Sequence, residues 1–238
     1  MKSLFCSIII IMLFTTAVCH AGYLDEIKKS IGISSEKGVD EDTATSGIKE
    51  ALSIGTKNAV TDVSKIDGYL ANQAIKILMP EKLQKVADVL RKVGYQKQID
   101  DFIISMNRSA EKAAPKATSY FIDAIKEMSF DDARKILNGG DTSATEYFRT
   151  KTSDKLYDAF KPIISSSMND VGTTKAYKDI MGKYTSLPFM KAESFDLDHY
   201  VTVRAMDGIF YMVAQEEKKI RTDPAARVTD LLKKVFGK

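Results

Sequence analysis

The chain has 238 residues, 44% of them apolar and 28% charged, with a formal net charge of +3. That mix is ordinary for a globular protein and supports a sizeable core in about one domain or one and a half. The 35 basic and 32 acidic residues form no long tract of one sign, so no basic field points to nucleic acid as a partner.

Lys2 opens a short positive region, and Ile8 to Phe14 is intensely apolar. Cys19-His20-Ala21 offers small residues before a cut, with Gly22 opening the mature chain. The apolar run from Leu4 to Ala17, about 14 residues, is short for a bilayer core. Residues 1–21 therefore read as a signal peptide, which predicts a periplasmic protein with no transmembrane segment after signal removal. The alternative is a lipid anchor on Cys19. Val18 argues against it, because such signals carry Gly, Ala or Ser at that place. With a cut after Ala21 both cysteines leave, and stability must come from packing rather than disulfides.

Residues 22–44 read as a flexible arm, loosened by Gly32, Ser34, Ser35 and Gly38. Ile48, Ala51, Leu52, Ala59, Val60 and Val63 have helical spacing, which predicts a first helix over Ala44 to Val63. Asp67-Gly68-Tyr69 is a turn, and Ala71 to Leu78 a short helix or an extended crossing. Pro80 is expected in the first turn of the next helix, which carries Leu83, Val86, Ala87 and Leu90 and stops at Gly94. A third long helix covers Gln96 to Ala113, and Pro115 opens another. Ser129-Phe130-Asp131-Asp132 is a capping box for a short helix ending at Asn138-Gly139-Gly140. Tyr147, Phe148, Leu156, Tyr157 and Phe160 predict a long helix that bends or ends near Pro162 and continues through Met168. Val171 to Tyr184 forms another.

Ala205 to Ala214 is apolar except for Asp207 and Gly208, which predicts a central helix surrounded by the others. It is capped by Asp196 or Asp198 and runs to about Arg221. A last helix follows from Pro224, with Asp223 as its cap. The expectation is an all-α fold: one compact multi-helix domain, residues 45–238, of about nine or ten helices around a buried C-terminal helix.

No HExxH, phosphate loop, dinucleotide fingerprint or GxSxG occurs, and no motif implies a cofactor. His199 is the one histidine after Ala21. Its setting, Asp196-Leu197-Asp198-His199, reads as a helix start; a metal held by Asp196, Asp198 and His199 is the sharper alternative, without the ligand spacing of a calcium loop. Arg108 and Glu111 share a helical face beside Asn107, giving an ion-pair network or a small polar ligand site. Gly139 to Ser143 offers an ordinary helix stop and start, or an anion nest with Arg149 as counter-charge. Arg204 and Asp207 are expected as a buried pair that fixes helix packing. Glu216-Glu217-Lys218-Lys219 reads as a solvated helix end. The candidate ligand or structural polar residues are therefore Asn107, Arg108, Glu111, Asp141, Arg149, Arg204 and Asp207.

Several strings resemble the bacterial DUF4197 family, a domain of unknown function. They are Met106 to Ala113, Asp123 to Lys126, Lys135 to Asp141, Thr145 to Arg149, Asp196 to Asp198, Tyr200 to Thr202, Ala205 to Gly208, Glu216 to Arg221 and Asp223 to Arg227. The resemblance covers roughly Thr45 to the C-terminus. It implies an exported helical protein and lends no residue a catalytic role. The leading expectation is a non-enzymatic envelope protein, a helical binding or interaction module for a small molecule or an envelope protein. The alternatives are a hydrolase using Asp207, or Glu111 with Arg108, and a membrane-associated scaffold.

Overall fold

The computed structural model describes residues 41–170, 172–189 and 195–237. The expected signal peptide, Cys19 and the expected arm up to residue 40 lie outside the described residues. The described chain is strand-free. It forms nine α-helices: α1 Glu41–Val63, α2 Glu81–Lys92, α3 Gln96–Ala113, α4 Ala117–Glu127, α5 Phe130–Asn138, α6 Ser143–Asp170, α7 Thr173–Thr185, α8 Leu197–Thr222 and α9 Asp230–Phe236. Two short 3-10 segments, Ala114–Lys116 and Pro224–Ala226, precede α4 and α9.

Local chemistry sets most helix ends. The Ser129 hydroxyl accepts from Asp132 N and Asp132 accepts from Ser129 N, each at 3.1 Å, completing the capping box of α5. The same hydroxyl holds the Asp132 carboxyl below the usual carboxylate range. Asp196 caps α8 by accepting from His199 N at 2.9 Å. After α2, Gly94 takes the left-handed backbone at φ 94° that a closing turn requires.

Several expectations shift. The first helix begins at Glu41, so the last residues assigned to the arm are helical. Pro80 stands just outside α2 as its N-cap, with ψ 141°. The segment after Asp223 divides into a 3-10 turn and the short α9, because Thr229 supplies a second cap by accepting from Leu232 N at 3.2 Å. Val228, between the two caps, is exposed. Pro162 neither ends nor replaces α6. Its ring removes one N–H, and the carbonyl that would have received it belongs to exposed Asp158, where water can serve.

α8 is the post of the fold, packed against α1 and α6 and touching α3. Val201, Ala205, Ile209, Phe210 and Val213 are buried along it. Phe121 of α4 meets Phe148 of α6 at 5.1 Å and Phe210 of α8 at 6.1 Å, both edge-on, which ties three helices at one aromatic centre. At the far end α1 and α9 approach closely at Gly47, where an added Cβ would lie 2.5 Å from Val235 Cγ2. α8 is not enclosed on every side, however. Asp207 is half-exposed and Tyr211 exposed, so one flank of the post faces solvent. Conversely, Glu216 and Glu217, expected to be solvated, are buried.

Candidate functional site

Residues 64–80 join α1 to α2 without a helix, as a series of turns followed by an extended run. This connection closes its own turns through bonds such as Ala71 N to Asp67 O and Lys76 N to Asn72 O, and it is also pinned from outside. Asn107 of α3 accepts from Ile77 N at 2.9 Å and donates to Ile77 O at 2.8 Å, the pattern of a strand partner supplied by a side chain. Glu111, one turn on, accepts from Tyr69 N at 3.1 Å and Leu70 N at 3.3 Å. Its other oxygen takes Arg108 at 2.7 Å, and Arg108 also reaches Asp67 at 2.6 Å. Hydrogen bonding to Glu111, then to Asp67, raises the Arg108 pKa despite partial burial. Asp67 itself sits at φ 67°, a left-handed conformation that aspartate tolerates.

Tyr69 completes the anchoring. It is fully buried, and its hydroxyl donates to Ala205 O of α8 at 2.6 Å. Burial first, then the Glu111 and Asp207 charges, push its phenol well above its ordinary pKa. The ring lies against Gly208, where a Cβ would fall 2.5 Å from Tyr69 Cε1. Gly208 is thus the gap in α8 that admits the ring. Tyr200 adds a last bond, from its hydroxyl to Leu78 O at 3.1 Å. Asn107, Arg108 and Glu111 therefore act together as an anchor for the 64–80 connection.

The glycine-rich turn before α6 is not an open anion nest. Ala144 N and Thr145 N, the amides that would receive an anion, donate to the Glu217 carboxylate at 2.9 and 3.0 Å. The Thr145 hydroxyl donates to it at 2.9 Å, and Arg221 contributes Nε at 3.1 Å. A buried acid from α8 thus occupies the positive end of α6. Arg221 also donates to Ile136 O at 2.7 Å, joining the end of α5 to the same knot. Asp141 is exposed and belongs to neither network. Glu216 accepts from Asn58 of α1 at 3.0 Å.

Arg149, Arg204 and Asp207 come together elsewhere. They border an open cleft of about 650 Å³ between the connection, the starts of α2 and α6, and the middle of α8. Arg149 Nη1 is 3.6 Å from one Asp207 oxygen, and Arg204 Nη1 is 4.0 Å from the other. Both separations are longer than hydrogen bonds. The Arg149 guanidinium lies 4.6 Å from the Phe210 ring centroid, and that of Arg204 lies 5.5 Å from Tyr200. The expected buried Arg204–Asp207 pair is instead a loose, half-exposed cluster of three, because the cleft opens this flank of α8 to water.

The residues weighed for metal binding do not assemble as ligands. Asp196 is committed to its cap, and His199 Nδ1 pairs with the Tyr157 hydroxyl at 2.8 Å. Among the described residues no three His, Cys, Asp or Glu side chains converge as a metal site. No described helix is long and apolar enough to cross a membrane.

The profile of DUF4197, described as a protein of unknown function, matches residues 38–237. The chain belongs to the DUF4197 family. No curated protein and no solved structure matches it. The match begins before Thr45, in agreement with a first helix that already starts at Glu41. In this DUF4197 protein the strings that carried the resemblance have identifiable work. Met106 to Ala113 anchors the connection. Thr145 to Arg149 and Glu216 to Arg221 meet at the start of α6, and Ala205 to Gly208 receives Tyr69. Sequence reasoning missed Tyr69 and Glu217. A tyrosine beside a turn and an acid next to two lysines both look solvent-facing in one dimension.

Proposed function

We propose that this DUF4197 protein is an exported, non-enzymatic binding module of the cell envelope, and that the cleft beside Arg149, Arg204 and Asp207 takes its small ligand. One observation carries the reading. The two guanidiniums face a half-open cavity and donate no hydrogen bond to any described residue, although each has five N–H donors. A mixed polar and apolar concavity with convergent charged groups is the usual form of a ligand site. The hydrolase alternative is less well supported. Of the carboxylates it would use, Glu111 already receives the Tyr69 N–H and the Arg108 guanidinium and lacks the free geometry of a general base, and Asp207 has no His or Cys beside it in the cleft lining. Export rests on the pattern of residues 1–21.

Native mass spectrometry of the protein released from its own host by osmotic shock tests both parts. The expected species starts at Gly22 and carries a small-molecule adduct that the Arg149→Gln/Arg204→Gln double variant lacks. A species that retains residues 1–21, or one acylated at Cys19, overturns the soluble-periplasm reading. Equal adducts on the two proteins, or a bare mass for both, overturn the cleft.

A further inference from the structure

The geometry points to a ligand class for this cleft: a monoanion with an apolar body whose carboxylate is gripped by Arg149 and Arg204. The inference rests on the reading of the cleft as the binding site and deepens it.

The two arginines differ from the others that join helices in this fold. Arg108, Arg221 and Arg227 each hold acceptors at hydrogen-bond distance, at 2.7, 2.7 and 3.0 Å for one bond of each. Arg149 and Arg204 hold only the loose contacts to Asp207. They are nevertheless not free to wander. Each guanidinium lies near an aromatic ring, 4.6 Å from the Phe210 centroid for Arg149 and 5.5 Å from the Tyr200 centroid for Arg204, which favours its place at the cleft. A planar fork that is held in place but lacks an acceptor suits a planar two-oxygen anion.

Charge limits the ligand further. Two guanidiniums against the one Asp207 carboxylate leave a single local positive charge. Lys76, Glu81 and Glu146 also border the cleft and bring its lining to neutrality. The three lining carboxylates, Glu81, Glu146 and Asp207, repel a polyanion such as a nucleoside triphosphate more strongly than a monoanion. The rest of the ligand faces an apolar wall. Leu78 is 55% exposed and Tyr211 is 42% exposed on this flank, while Ile75 and Met79, which also line it, are buried. Such exposure of large apolar side chains inside a concavity fits a hydrocarbon or aromatic body rather than a sugar.

The test is a titration of the ¹⁵N-labelled mature chain followed through the arginine Nε–Hε signals, with phenylacetate as probe and neutral phenylacetamide as its isostere. Phenylacetate is expected to move the Arg149 and Arg204 signals saturably. Phenylacetamide should bind at least about tenfold more weakly, the factor that corresponds to one charge-assisted hydrogen bond. Arg149→Lys and Arg204→Lys keep the charge and lose the fork. Each should weaken phenylacetate by about tenfold with the remaining amide spectrum unchanged. Equal binding of acid and amide, or unaltered affinity in both lysine variants, overturns the carboxylate inference and leaves the cleft as a site. Failure of both probes to move any cleft signal overturns the carboxylate inference and the cleft together.

Discussion

Glu217 accepts both the backbone N–H and the hydroxyl of Thr145, at 3.0 and 2.9 Å, and so closes the start of α6 with an acid from α8. Removing it strands two helix-start amides and the Arg221 guanidinium in a buried place. Glu217→Ala is expected to destabilise the fold by about 3–5 kcal/mol, the range for breaking a buried charge pair. Glu217→Gln keeps one acceptor oxygen and should fall between that variant and the native protein. Urea midpoints for the three proteins decide it, and an alanine variant within about 0.5 kcal/mol of native would exclude the cap as a structural element.

The anchoring of the connection predicts a local effect. Asn107→Ala leaves Ile77 N–H and C=O without their side-chain partner, and Glu111→Ala does the same to Tyr69 and Leu70 N–H. Hydrogen exchange should speed up at Ile77 in the first variant and at Tyr69 and Leu70 in the second, ahead of α6 and α8 amides. Each stranded buried group adds about 1–3 kcal/mol of destabilisation. Uniform acceleration across all helices would show that the connection does not open separately.

Tyr69 and Gly208 must be altered together to be understood. Gly208→Ala puts a methyl where Tyr69 Cε1 stands and should cost about 1–3 kcal/mol through overpacking. Tyr69→Leu shortens the side chain and vacates that space. The double variant should then be less destabilised than the sum of the two, a coupling readable in thermal melts. Strict additivity would mean that the ring is not what Gly208 accommodates.

Three raised phenols, Tyr69, Tyr147 and Tyr177, set an alkaline limit. Burial holds Tyr69 well above its ordinary pKa of 10.0, and burial with the Asp132 and Glu127 charges pushes Tyr147 up to about 12. A folded pKa above the unfolded value means that the unfolded chain loses its proton first. Stability from these groups is therefore complete below pH 10.0 and declines as pH rises through the folded values. The melting temperature should fall as pH rises from about 10 toward about 12, and Tyr147→Phe should fall less steeply. An equal slope in that variant would remove Tyr147 from the account.

Most of the helical framework is legible in one dimension. The stripe from Leu83 to Leu90, the capping box at Ser129 and the stop at Gly94 act through neighbours within a few residues, so spacing alone reveals them. The apolar run from Ala205 to Ala214 likewise identifies its helix as the post. The polar machinery is legible only in part. Asn107, Arg108 and Glu111 stand out on one face, but their partners lie 30 to 42 residues earlier in the connection. Glu217 beside Lys218 and Lys219 looks solvated because charge is read as exposure, yet its partner Thr145 lies 72 residues earlier. Asp207 misleads in the opposite direction, half-exposed inside an apolar run.

The order of apolar and polar residues, with its caps and glycines, determined an all-helical chain and most of its helix boundaries, because those are local energies. Only the tertiary structure decided which charges are buried and saturated and which stand unsatisfied at a cleft. A carboxylate's environment is set by whatever helix end or backbone arrives beside it, and that arrival depends on how distant segments pack.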